Sequence, residues 1–290
     1  MPVKILADSA ADLTKEIIKQ HNITVVPLVI LSDSHEYLDG IDISPKKVFD
    51  EMRAGKIFTT AQVPVSKFLE IFTEMAKNNE ECFYPAFSSQ LSGTYNAAVT
   101  ALQEVKQTYP DVKIEIIDTL CASVGLGHVV EKAAELAERG MSAKEMVPFM
   151  TAYAHEMVHV FSVEKLESLY RGGRVSKAAA FIGDTLGIRP ILTVIDGKLI
   201  PVQKIRGEKK LFQAMLDLIE EKAGNDLTHK LISVMHADNL EGAKKLKALL
   251  EARFGCKNIR FMWLGAMIGA HAGPGTLSIF VEGKNAPQLP

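Results

Sequence analysis

Short apolar runs alternate along the chain with stretches in which apolar residues recur every three or four positions, and polar residues mark the joints. Val3 to Ala7 is a β-rich run, followed by Asp8 and Ser9 and then by a helical stretch from about Thr14 to His21. The order returns twice. Cys82 to Phe87 leads through Ser88, Ser89 and Ser92 into a helix from Gly93, and Val112 to Ile117 leads through Asp118 and Thr119 into a helix from about Ser123 to Arg139. Strand, polar loop and helix in that order predict a parallel sheet with crossover helices. Ligands of such sheets collect beyond the carboxyl ends of the strands, where all three polar loops fall.

Between the first two units, Val25 to Leu31 and Glu36 to Leu38 flank Ser32 to His35 as a hairpin or two edge strands. Thr59 and Thr60 precede Pro64, which suits a first helical position, and the helix Phe68 to Ala76. The second half changes character near residue 158. Val158 to Val163 reads as a strand, and Ile188 to Ile195 and Leu199 to Ile205 as a hairpin joined by Asp196-Gly197. Helices follow at Glu208 to Lys222 and Leu240 to Phe254, then a strand pair, Ile259 to Leu264 and Thr276 to Glu282, with Ala270 to Gly275 as its turn. A chain of 290 residues exceeds one comfortable core, so two α/β domains are expected, 1–160 and 161–290.

Composition narrows the partners. Lys and Arg number 33 against 35 Asp and Glu, a net charge of -2 with no basic block, which disfavours nucleic acid. No apolar run approaches the roughly eighteen residues of a membrane span, so membrane contact is expected to be transient at most. The start meets acidic residues by Asp8 and fits a first strand better than a signal peptide. Cys82, Cys121 and Cys256 are odd in number and far apart, the usage of reduced thiols in a cytoplasmic protein, and they form no CxxC metal site.

Several motifs carry candidate chemistry. His155-Glu156-Met157-Val158-His159 matches the HExxH pattern of zinc hydrolases, yet Val160 to Val163 reads as strand, so the two histidines would straddle a helix end. Gly125-Leu126-Gly127 lacks the third glycine and downstream acid of a dinucleotide loop. Gly172-Gly173-Arg174 does not lead from a strand into a phosphate-cradling helix. Asp8, Ser9, Ser92 and His271 supply the residue types of a serine hydrolase, although no GxSxG elbow surrounds any serine. Ser92 falls at a helix N-cap, where its hydroxyl and free backbone N–H groups form an anion site, and Thr60 lies ahead of another helix. Two hydroxyls and backbone donors suit one carboxylate.

Taken in order, Asp8-Ser9-Ala10-Ala11-Asp12-Leu13, Thr60-Ala61-Gln62, Ser88 to Tyr95, Asp118 with Ser123 to Gly127, Leu169 to Ser176, and Gly269 to Gly275 resemble the DegV family along the whole chain. One departure is visible, Ala61 and Val63 standing where that family often has Ser and Pro. The resemblance implies a two-domain α/β fold that holds one long-chain fatty acid between its domains, without cofactor, metal or catalytic residue of its own. It further implies that Thr60 and Ser92 hydrogen-bond the carboxylate, with Ser89, Gly93, His271 and Gly273 near the head group. Arg174 and Arg206 match positions used around phosphate transfer and kinase docking. The implied role is the binding subunit of a bacterial fatty acid kinase, a separate ATP-dependent partner. A zinc-dependent or serine hydrolase acting on a small ester or peptide is the alternative.

Overall fold

The computed structural model describes residues 2–33, 35–176 and 187–288, and in it the apolar runs of the first half become strands. β1 (Lys4–Asp8), β2 (Thr24–Val26), β6 (Glu81–Ala86) and β7 (Lys113–Asp118) form a parallel sheet in the order β2-β1-β6-β7. Cys82 to Ala86 are buried without alternation, as a parallel strand covered on both faces requires. Helices α3 (Val65–Lys77) and α4 (Thr94–Thr108) pack on each other, and α5 (Ser123–Glu138) packs on α6 (Ala143–His155), β1 and β6.

β1 has β2 on one side and β6 on the other, so the switch point of this topology lies between β1 and β6. Their ladder pairs Lys4 with Cys82 and Ile5 with Phe83. Farther along β6, Pro85 has no N–H to give. The buried Asp8 carboxylate ties the two strand ends instead, accepting from the Tyr84 hydroxyl at 2.7 Å and from the N–H groups of Phe87 at 3.0 Å and Ala10 at 3.2 Å. The Gly125-Leu126-Gly127 run lies inside α5, and a Cβ on Gly127 would stand 2.6 Å from the Ala11 carbonyl oxygen. Close packing on the turn after β1 accounts for that glycine.

A second sheet has the order β10-β9-β8-β13-β11-β12, from β8 (Met157–Ser162), β9 (Ile188–Ile195), β10 (Lys198–Arg206), β11 (Ile232–His236), β12 (Ile259–Trp263) and β13 (Leu277–Glu282). α8 (Glu208–Ala223) and α9 (Leu240–Phe254) bury Leu211, Met215, Ile219, Leu246 and Leu250 against Val160, Ile191, Val234 and Ile279. The Asp196-Gly197 hairpin forms as expected, with φ of 48° and 76°, the positive pair of a tight two-residue turn. A small sheet, β4-β3-β5, joins β3 (Val29–Ser32), β4 (His35–Leu38) and β5 (Thr59–Ala61).

The strand pair expected at the end of the chain is corrected. β12 and β13 flank β11 on opposite sides and do not pair with each other. What reads as their turn contains the helix α10 (Ala266–Ala272), and β11, buried on both faces, replaces the missing partner. Two compact units result, Met1–Val29 with Ala61–His155, and Ile30–Thr60 with Glu156–Pro290. The chain changes unit after His155, and the segment Ile30–Thr60 clusters with the second unit.

That segment is held by α2 (Pro45–Arg53), capped by Ser44, whose Phe49 meets α10. A Cβ on Gly269 would stand 2.4 Å from Phe49 Cε1 and Cζ, and the Phe49 ring is fully buried. Gly269→Ala is therefore expected to lower stability by about 1–3 kcal/mol. The change is read as a fall in urea midpoint with the slope m unchanged.

Candidate functional site

The loop from β6 to α4 carries the first polar cluster. Asp118, at the end of β7, accepts from the N–H groups of Ser89 at 3.1 Å and Leu120 at 3.2 Å, while the Ser88 N–H donates to the Cys121 carbonyl at 3.1 Å. These bonds fix the loop that ends in the buried Ser92. The N-cap of α4 is Gly93 rather than Ser92, a shift of one residue from the sequence expectation. Ser92 still serves the helix start: its Oγ accepts from the Thr94 N–H at 3.2 Å and lies 2.9 Å from Thr94 Oγ1. Thr94 Oγ1 in turn accepts from the Val63 N–H at 3.4 Å. With Thr94 as the donor between the two hydroxyls, Ser92 keeps its own proton for an anion. A Cβ on Gly93 would stand 1.8 Å from Gln62 Oε1, a contact that the exposed Gln62 side chain can relieve by turning away. The closeness of Gln62 to Gly93 has no local signal in the sequence.

The second cluster surrounds His271, on the last turn of α10. Thr60 lies in β5 rather than in a loop, and its Oγ1 is 2.7 Å from His271 Nε2. On the other side of the ring is Gly172, which caps α7 (Glu167–Arg171); Arg174 Nη1 donates to the Gly172 carbonyl. Gly273, with φ of +80°, ends α10. The turn that follows is pinned where the Gly275 carbonyl accepts from Arg189 Nη2 at 2.6 Å and from Asn239 Nδ2 at 3.2 Å. Arg189 and Asn239 escape a local reading because they join this turn only through the fold. Arg174 is half-buried, and desolvation holds its pKa below the usual value; Arg206 is exposed at the end of β10.

The fold thus gathers Thr60, His271, Gly273 and Arg174 in one unit, and Ser89, Ser92 and Gly93 in the other. Burial first, and the Arg174 charge second, push the His271 pKa down to about 4, so the imidazole is neutral at neutral pH. A lowered folded-state pKa contributes stability that is complete above the unfolded value near 6.5 and is lost as pH falls towards 4. The loss amounts to roughly 3 kcal/mol. His271→Gln is expected to flatten that part of the profile, measured as urea midpoints at about pH 7.5 and about pH 4.5.

The hydrolase alternatives find little geometry. His155 is the exposed last residue of α6, whereas His159 is buried in β8 with Nδ1 3.0 Å from the Met157 carbonyl oxygen and its ring edge-on to Phe280. The two do not share a helix face. Among the described residues no group of three or more His, Cys, Asp or Glu is placed to hold a metal ion. Asp8 is committed to Tyr84, Phe87 and Ala10, and Ser9 Oγ accepts from the Leu28 N–H at 3.0 Å.

Among the described residues no helix is long and apolar enough to cross a membrane. A DegV domain-containing protein, CPE0026 of Clostridium perfringens, is 37% identical over 282 residues, covering 96% of this chain and 97% of its own. A fatty-acid-binding DegV family protein from Thermus thermophilus superposes with a TM-score of 0.87 at 28% identity, over 98% of this chain and 100% of its own. DegV of Bacillus subtilis, a fatty acid binding protein, gives 0.84 at 29% identity over 98% of this chain and 100% of its own. The family model described as "Uncharacterised protein, DegV family" matches residues 2–284, and the chain belongs to the DegV family.

Proposed function

We propose that the chain binds a long-chain fatty acid, holds its carboxylate with Thr60 and Ser92, and presents that carboxylate to a separate ATP-dependent kinase in the bacterial cytoplasm. The observation that carries the site is the 2.7 Å contact between Thr60 Oγ1 and a neutral His271 Nε2, which leaves the threonine proton available to an acceptor when the ring hydrogen is on Nε2. Ser89, Gly93 and Gly273 flank the head group, and Arg174 and Arg206 meet phosphate or the kinase. Fatty acid binding by relatives of the same fold supports the ligand class.

Magnitudes divide the labour. Burying about a dozen methylenes at ~0.8 kcal/mol each gives on the order of 10 kcal/mol, whereas each neutral hydrogen bond adds ~1 kcal/mol net. The tail supplies affinity and the hydroxyls orientation. The chain itself transforms nothing; phosphoryl transfer belongs to the partner.

Native mass spectrometry of the purified full chain, followed by organic extraction, tests the binding. A co-purifying fatty acid supports it, bound zinc favours the hydrolase, and neither, with no binding on titration, sinks the lipid assignment. Acyl-phosphate formation that requires the chain, a bacterial fatty acid kinase and ATP together tests the presenting role.

A further inference from the structure

The two glycines ahead of Arg174 are glycine for different reasons. Gly173 has φ of +75° and nothing within 4 Å of its missing Cβ. At Gly172 a Cβ would stand 2.2 Å from His271 Nδ1 and 2.8 Å from Cε1, with the Ser168 carbonyl oxygen 3.3 Å away. One shapes the backbone, and the other makes room for an imidazole.

We infer that Gly172 is a positioning residue for the carboxylate site: by admitting the Nδ1 edge of His271 it turns Nε2 onto Thr60 and holds the ring in the Nε2–H form. Thr60 then accepts from the histidine and gives its own proton to the ligand. The inference rests on the fatty-acid assignment above and adds to it a protonation pattern. Proton counting carries it. The Thr60 hydroxyl has one hydrogen, and the 2.7 Å contact with Nε2 consumes one, either that hydrogen or one on the ring. A carboxylate is an acceptor only, so Thr60 can serve it only when the contact uses the ring hydrogen.

The surroundings of Nδ1 favour the same form. In a neutral ring with hydrogen on Nε2, Nδ1 is a bare lone pair and needs no acceptor. The carbonyls of this turn already accept from other donors, Gly172 from Arg174 and Ser168 from the Gly172 N–H at 3.0 Å. The nearby Arg174 charge opposes a second proton on the ring.

The test uses full-length protein labelled with 15N-histidine, free and loaded with palmitic acid, read by two-bond proton–nitrogen correlation; the His271 signals are identified by their loss in His271→Ala. Protonated Nε2 and bare Nδ1 are expected in both states. Gly172→Ala should abolish that fixed pattern and weaken palmitate binding about tenfold. In the His271→Ala background the same substitution should change binding less than about twofold, because its effect runs through the ring. Hydrogen on Nδ1 in the loaded wild type, or an equal Gly172→Ala effect in both backgrounds, overturns the inference. Should Gly172→Ala not fold, the wild-type spectrum still decides. Failure of the wild type to bind palmitate overturns the fatty-acid assignment, while the free protein's spectrum still decides the form of the ring.

Discussion

Replacing Asp8 by alanine is expected to destabilise the first unit by about 3–5 kcal/mol, the largest single-site loss of stability anticipated for this chain. The carboxylate is fully buried and accepts from the Tyr84 hydroxyl and the N–H groups of Phe87 and Ala10. Truncation leaves those donors without that acceptor, and a buried donor left unpaired costs about 1–3 kcal/mol. Domains are typically stable by only about 5–15 kcal/mol, so the variant should melt well below the wild type. Tyr84→Phe removes one donor together with its need for an acceptor, and should cost about 1 kcal/mol. Melting followed by circular dichroism separates the two. A loss for Asp8→Ala no larger than for Tyr84→Phe would mean that the carboxylate does not tie the ends of β1 and β6. The same pair makes an alkaline prediction. Burial first, and the Asp8 charge second, hold the Tyr84 pKa well above its ordinary value. Its contribution to stability is therefore complete below about pH 10 and is lost as pH rises beyond it.

How much of this was legible depends on whether the deciding interaction is local. Strand, polar loop and helix recur because crossover topology imposes them residue by residue, so the Ser88 to Ser92 loop was placed correctly to within one position of its cap. Asp196-Gly197 was legible because a tight turn needs two positive φ values, which those residues tolerate. β11 was not legible: Ile232 to His236 are all buried, and a five-residue run broken by Ser233 and His236 lacks both alternation and the unbroken apolar character of Cys82 to Phe87. α10 was hidden by its glycines, which resemble a turn until the close approach of Phe49 to Gly269 shows why a small helix is needed. The Thr60–His271 contact joins residues 211 positions apart, and no local pattern encodes it. Local reading singled out Thr60 ahead of a helix and His271 among hydrolase residue types, the family resemblance put both at one head group, and the fold supplied the hydrogen bond between them. The membership of Ile30–Thr60 in the second unit likewise depends on packing, through Phe49 and through the Asp39 carboxylate, which accepts from the Met267 N–H at 3.3 Å.

Thr60→Ala combined with Ser92→Ala is expected to weaken fatty-acid retention by about a hundredfold or more. In the proposed site each hydroxyl would give the carboxylate a hydrogen bond to a charged group, worth about 1.5–3 kcal/mol, and losing both would leave a charged head group short of donors in an apolar setting. The effect should be read in dissociation rate and in the amount of lipid that co-purifies, because the acyl tail keeps its apolar contacts and a residual affinity. Each single variant should lose less than the pair. His155→Ala, at the exposed end of α6, should leave retention within about twofold of wild type, as most exposed surface substitutions do. The folded state needs separate control, since Ser92 also accepts from the Thr94 N–H and its loss removes a bond at the start of α4, a cost of about 1 kcal/mol. A melting curve of the lipid-free protein shifted by no more than that cost, with lost retention, assigns the hydroxyls to the ligand. Retention that survives the double variant but falls with His155→Ala would place the carboxylate elsewhere.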